Sequence, residues 1–387
     1  MTGGQGRALT VLVAPDSFKG SLSSVEVAGA IAAGWGRARP SDEVRLSPLS
    51  DGGEGTLEAV LAAGGWQVMP ASARDPLDRP VSCRFLRQGE RGLVELAEAS
   101  GLSRLAEGEL SPLEASTFGT GLVLAAAIGL GVRDLVLGLG GSATTDGGSG
   151  LLRALGARFL DAAGEELPPG GGALARLETI DLEGLSPLLA EVRLTVASDV
   201  TNPLLGERGA AATYGPQKGA RQEDVAALDT ALTRYADRLE AATGRSVREL
   251  PGSGAAGGTT CGLLAIADRF ERLEVRPGVE VVMELTGFEE GLAAADLVLT
   301  GEGRVDRQTA YGKTALGVAR RAAGAGRACI CLGGGVTVEG IEALAGLGTI
   351  VVPVAERPMT VQEQMLEGAG PVERAAERVA RLVSLAV

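Results

Sequence analysis

Short apolar runs alternate along most of this chain with longer alanine-rich stretches, and each run ends in a turn of Gly, Asp and Ser. The first run, residues 9–14, meets the turn 15–21 and then a helical pattern over 23–37. Ser23 or Ser24 is its expected N-cap, with Glu26 in the first turn. Residues 44–49 lead into Ser50-Asp51-Gly52-Gly53-Glu54-Gly55-Thr56 and a helix to position 63. Towards the C-terminus, the run 297–300 ends in a glycine-containing turn over 301–312 before a helix over 314–323. Residues 328–332 end in Gly333-Gly334-Gly335, and residues 350–354 precede a helical segment after Thr360. Strands and helices alternating at these lengths predict parallel βαβ units, and near-continuous apolar strands predict a sheet covered on both faces.

The middle of the chain has a different pattern. Residues 66–96 carry several short strand-like pieces, with a turn at Asp75-Pro76-Leu77-Asp78 and a hairpin tip at Gln88-Gly89-Glu90. A helix over 117–130, a strand over 135–139 and a helix over 147–157 follow. A Pro/Gly loop over 167–173, a strand over 192–197 and a long helix over 223–243 with a solvent-exposed pattern complete it. The expected fold is therefore α/β with two domains. A Rossmann-like parallel-sheet domain, residues 1–68 and 288–387, is interrupted by an inserted α/β domain, residues 69–287.

Composition narrows the chemistry. Among 387 residues there is no histidine, so histidine acid–base catalysis and His-ligated metals are excluded. Only three lysines occur, Lys19, Lys218 and Lys313, and the other basic residues are arginine. Each lysine, and the sole asparagine Asn202, sits in a loop-like stretch, where a compact mobile ammonium does what a planar guanidinium cannot. The net charge of −13 argues against nucleic-acid binding, so an anionic substrate must be held by locally concentrated positive groups. No run is long and apolar enough to predict a membrane span. The polar, glycine-rich first residues lack the order of a secretion signal, and a cytoplasmic protein is expected. Cys83, Cys261, Cys329 and Cys331 have no zinc-site spacing and read as buried free thiols.

In parallel α/β sheets ligands meet the carboxyl ends of strands, where the loops above fall. Gly140 to Gly148 precedes a helix and offers amides and hydroxyls to an anion, and Gly254-Ala255-Ala256-Gly257-Gly258 is a second such stretch. Neither standard phosphate loop is present. Gly312-Lys313-Thr314 lacks the P-loop's first glycine, whose position holds Arg307. Gly301-Glu302-Gly303 lacks a dinucleotide fingerprint's third, whose position holds Asp306. Asp16, Asp51, Asp199, Glu302 and Asp306 recur in these loops. A hydroxyl nucleophile needs one carboxylate, and Mg²⁺ on phosphates needs one or two, although loop acids also cap turns.

Taken together, the motifs become specific. Ala14-Pro15-Asp16-Ser17-Phe18-Lys19, Asp51 to Thr56, Gly140 to Gly148, Asp199-Val200-Thr201-Asn202-Pro203-Leu204, Gly215 to Ala220, Gly254 to Gly258 and Thr300 to Asp306 occur in this order. The series resembles the bacterial type I glycerate kinases over nearly the whole chain. Thr145 stands where asparagine is expected, and Tyr214 where phenylalanine is usual. The resemblance implies ATP, Mg²⁺ and D-glycerate, with phosphoryl transfer to the 2-hydroxyl to give 2-phospho-D-glycerate and ADP. It also implies an active site in the interdomain cleft, and a monomer or homodimer is expected. Within that frame, Asp199 accepts the hydroxyl proton or orients the hydroxyl, Lys19 and Lys313 neutralise charge, and Asp16 or Asp306 helps hold Mg²⁺. Ser17, Asp51, Gly141, Ser142, Asn202, Lys218, Gly257, Gly301, Glu302 and Gly303 are the expected substrate- and phosphate-binding residues. The alternatives are a kinase acting at the 3-hydroxyl or on another small hydroxy acid, and a non-catalytic metabolite-binding protein.

Overall fold

The computed structural model describes residues 7–106, 108–307, 309 and 314–385. The strands run β1 (Thr10–Val13), β2 (Glu43–Leu46), β3 (Gln67–Arg74), β4 (Pro80–Gln88), β5 (Arg91–Glu95) and β6 (Asp134–Gly138). They continue with β7 (Arg158–Leu160), β8 (Thr179–Asp181), β9 (Arg193–Ala197), β10 (Arg272–Arg276), β11 (Leu297–Val305), β12 (Ala328–Val336) and β13 (Ile350–Pro353). They build two main sheets, one in each of two compact units. The first unit comprises Met1–Asp51, Glu58–Gly65 and Val279–Val387, and the second Gly52–Leu57 and Trp66–Gly278.

The first unit's sheet has the order β13-β12-β11-β1-β2, and every pairing is parallel. From β1 the chain steps outward to β2, whereas from β11 it steps the other way, so the strand order reverses between β1 and β11. Period-two burial covers both faces. Val11, Val13, Leu299 and Leu332 pack with Ile31, Trp35, Val372 and Ala376, while Cys331 packs with Ala315, Leu316 and Leu344 on the other side. Helix Ser24–Ala38 starts where the sequence predicts. Ser23 Oγ accepts from the Glu26 amide at 3.2 Å, and Glu26 returns the bond to the Ser23 amide at 2.8 Å. It crosses helix Gly370–Val383 at Gly34, where any Cβ would overlap the Glu373 carbonyl.

The second unit's sheet has the order β10-β9-β6-β5-β4-β3, parallel from β10 to β5 and antiparallel through β4 and β3. β7 and β8 form a separate antiparallel pair. The helix expected over 223–243 runs Gln222–Thr243, but it is not simply a solvated helix. Leu228, Leu232, Tyr235 and Leu239 form a buried stripe in the core with Phe159 and Leu152. Among the described residues no helix is long and apolar enough to cross a membrane.

Three expectations need correction. The turn read over 301–312 begins later, because β11 continues through Gly301, Glu302 and Gly303 to Val305. Gly333-Gly334-Gly335 belongs to β12, not to a loop, since Glu302 pairs with Gly333 and Arg304 with Gly335. At Gly334 a Cβ would overlap the Gly303 carbonyl, so glycine there serves close packing within the sheet. The unit boundaries also differ from those expected at 68/69 and 287/288. Glu95 holds the amides of Gly55 and Leu57, each at 3.1 Å, which ties that loop into the second unit. In helix Gly278–Leu285, Val279 and Met283 pack within the first unit, close beside Gly317.

Candidate active-site loops

In the first unit, the loop after β1 lies against the carboxyl end of β11, where the strand order reverses. The Asp16 amide donates to Gly301 O at 2.8 Å, and Thr300 Oγ1 donates to Ala14 O at 2.8 Å. A tight turn, with Phe18 N donating to Leu22 O at 2.8 Å and Gly20 at φ +81°, presents Lys19 to solvent. A Cβ on Gly303 would sit 2.9 Å from Phe18 Cα, so the turn lies directly on the strand backbone.

The Asp16 carboxyl accepts from the Ser17 amide and from Thr314 Oγ1, both at 2.6 Å. Burial, with the Asp51 carboxylate nearby, pushes its pKa up to about 6. The hydrogen bonds from Thr314 and Ser17 and the charge of Lys19 pull against that rise. Glu302, predicted to bind ligand, is buried and accepts from Thr309 Oγ1 at 3.2 Å, while Thr309 Oγ1 also accepts from the Asp306 amide at 3.1 Å. The Asp306 carboxylate pairs with Arg304 at 2.9 Å. Lys313 lies outside the described residues. Among the described residues no three acidic or thiol groups converge into a protein-only metal site. Asp16 beside Asp51 is nevertheless the kind of donor set a divalent cation fits, since two carboxylates held together repel until a cation intervenes.

In the second unit, the carboxyl ends of β5, β6 and β9 meet the Gly52–Leu57 loop. A Cβ on Gly138 would lie 2.7 Å from Gly52 O, and one on Gly140 would overlap Gly53. Only glycine backbones stack this closely. Beyond them the Gly140 to Gly148 loop is rich in donors without acceptors. The amides of Gly141, Ser142, Thr144 and Thr145 meet no acceptor among the described residues, nor do the buried hydroxyls of Thr144, Thr145 and Thr260. Buried donors without partners are costly, and an anion satisfies several at once.

Three groups support that loop from behind. Asp146, fully buried, accepts from the Thr117 amide at 2.8 Å, Thr117 Oγ1 at 2.9 Å, and the Gly148 and Gly150 amides at 3.2 Å each. Gly257, at φ +66°, packs on Thr144, where a Cβ would overlap the Thr144 carbonyl. Its neighbour Ala256 takes φ +49°, a strained conformation for a residue with a side chain. Lys218, among the residues expected to bind substrate or phosphate, is 4% exposed, and its Nζ donates to Ser142 Oγ at 2.9 Å and Thr144 O at 2.5 Å.

Asp199, just beyond β9, is exposed, and its Oδ1 accepts from the Gly278 amide at 3.1 Å. Asn202 works within the loop: its Nδ2 donates to Arg208 O at 2.8 Å and its Oδ1 accepts from Tyr214 at 3.0 Å. Sequence reasoning missed Glu95 and Thr314 and did not single out Asp146. Glu95 ends a buried strand and Asp146 sits in the glycine loop, and an acid in either place signals a fixed backbone. The four cysteines are buried free thiols, with Cys261 pushed up to about 12 and Cys329 to about 11 by burial, so thiolate chemistry is not available to them.

The model of the glycerate kinase family matches residues 11–384. A glycerate kinase of Halalkalibacterium halodurans strain C-125 is 41% identical over 374 residues, 96% of this chain and 97% of its own. A glycerate 2-kinase of Escherichia coli strain K12 is 39% identical over 355 residues, covering 88% and 92%. Among solved structures, a Salmonella typhimurium LT2 protein carrying the working designation glycerate kinase 2 matches at a TM-score of 0.84 and 38% identity. It covers 98% of this chain and 99% of its own.

Proposed function

Because this chain belongs to the glycerate kinase family, we propose that it transfers the γ-phosphoryl group of ATP to the 2-hydroxyl of D-glycerate, releasing ADP and 2-phospho-D-glycerate. The observation that carries this reading is the donor-rich Gly140 to Gly148 loop, a match for an anionic group, in a chain matched to the family almost end to end. In the reaction the glycerate oxygen bonds to the γ-phosphorus as the bond to the ADP oxygen breaks, and the hydroxyl proton leaves. Asp199 takes that proton or orients the hydroxyl, with its Oδ1 steadied by the Gly278 amide. Lys19, exposed on its turn, neutralises phosphate or carboxylate charge, as does Lys313. The amides of Gly141 and Ser142 and the Ser142 hydroxyl bind the anion.

Asp16 is the stronger candidate to hold Mg²⁺, with Asp51 near it, because Asp306 is already paired with Arg304. When bound, the cation neutralises charge on the phosphates. Glu302 and Asn202 keep their loops in shape, and Gly301, Gly303 and Ser17 form the floor on which Asp16 and Lys19 rest. The work is positioning and charge neutralisation, and no covalent intermediate is needed.

The test is ADP release with ATP, Mg²⁺ and D-glycerate together, followed by phosphorus NMR of the product. Product carrying phosphate at C2 is expected. A C3 phosphate moves the assignment to the other hydroxyl, and no turnover over a panel of hydroxy acids favours a binding protein.

A further inference from the structure

We infer that Lys218 is a positioning residue of the Gly140 to Gly148 loop, acting through Ser142 and Thr144 without touching substrate. This rests on the reading of that loop as the anion cradle.

The geometry runs outward from the buried ammonium. Nζ donates to Ser142 Oγ at 2.9 Å, so one lone pair of that oxygen is occupied and its proton must point elsewhere. Among the described residues that proton has no acceptor. Nζ also holds the Thr144 carbonyl at 2.5 Å. A trans peptide is planar, so drawing that carbonyl inward turns the Thr145 N–H to the opposite side. One ammonium therefore aims two donors away from itself. Arginine would carry a longer, planar head into a position that is already almost wholly buried.

The position is costly, which argues that the charge has a use. Burial pushes the Lys218 pKa down to about 7, with Asp146 the negative group that opposes the fall. Asp146 is itself committed to the amides of Thr117, Gly148 and Gly150, so it anchors the far end of the same loop.

The cradle's anion is a phosphate of ATP or the carboxylate of glycerate, and separate KM measurements tell them apart. Lys218→Met keeps the side-chain length and removes the ammonium. It is expected to raise KM for one of the two substrates about tenfold or more, with kcat changed much less, as when binding common to ground and transition states is lost. A rise for ATP identifies phosphate, and a rise for D-glycerate identifies the carboxylate. Lys218→Arg should not rescue it. Ser142→Ala should raise the same KM, and in the double variant the combined change should fall short of the product of the single changes, because the Ser142 hydroxyl is one of the two donors that Lys218 positions. A folded, active Lys218→Met enzyme with both KM values within about twofold of wild type overturns the positioning role. ADP release by the wild-type protein reports separately on the reaction itself. Should Lys218→Met not accumulate as folded protein, Ser142→Ala carries the test, and unchanged KM values for both substrates overturn the proposal.

Discussion

Thr314 Oγ1 donates a 2.6 Å hydrogen bond to Asp16 Oδ2, joining two residues 298 positions apart. It fixes the acid after β1 to the first residue of helix Thr314–Gly324. Thr314 is fully buried. Thr314→Val keeps the shape and removes the donor, and should cost ~1–3 kcal/mol of unfolding free energy in urea titrations. Thr314→Ser, which keeps the hydroxyl, should recover most of the loss. Equal stability of the two variants would sink this account of the bond.

Asp199→Asn separates chemistry from structure. The amide oxygen can still accept from Gly278, so the melting temperature should hold while kcat falls by ~10²–10⁴, the range for loss of a general base. Asp199→Ala should lose the same activity and in addition ~0.5–2 kcal/mol, the usual worth of an acceptor at a helix start. Loss of ATP binding together with catalysis would assign Asp199 to metal instead.

Gly303 and Gly29 should respond oppositely to alanine. At Gly303 the new methyl would press on backbone, 2.9 Å from Phe18 Cα and 3.2 Å from Lys19 N. The expected result is a loss of ~1–3 kcal/mol together with a fall in kcat/KM, as the Lys19 turn is displaced. At Gly29, exposed within helix Ser24–Ala38, nothing lies within 4 Å of the added carbon. Alanine there should add ~0.5–1 kcal/mol and leave kcat/KM unchanged.

The buried ammonium of Lys218 should leave a signature in stability against pH. Its folded pKa is about 7, below the ordinary 10.5. Between those values the unfolded chain holds a proton that the folded protein lacks, so the contribution to stability rises with pH by ~1.4 kcal/mol per unit. Below pH 7 the full cost of burying the charge is present. The difference in unfolding free energy, wild type minus Lys218→Met, should therefore grow from pH 7 to pH 9. A flat difference would mean that the lysine titrates normally.

Much of the fold is local enough to be read from the chain. Ser23 with Glu26 and Thr360 with Glu363 each form reciprocal caps within four residues, and strand runs followed by alanine-rich helices predict parallel units wherever they occur. The order of the loop motifs likewise carries the family. What sequence could not decide is long-range pairing. Gly301 to Gly303 and Gly333 to Gly335 have turn-like composition, yet each supplies the other with a partner strand, and a glycine run becomes sheet when a neighbour satisfies its backbone.

The same limit holds for the site. That Asp16, Lys19 and Asp199 belong to loops at strand ends is written in the pattern. That Lys218 stands behind the Gly140 to Gly148 loop, with its charge spent on Ser142 and Thr144, is not. Charge and residue type are properties of one position. Burial and hydrogen-bond partners belong to residues 74 and 76 positions away, brought close only when the core around Leu152, Leu232 and Tyr235 closes.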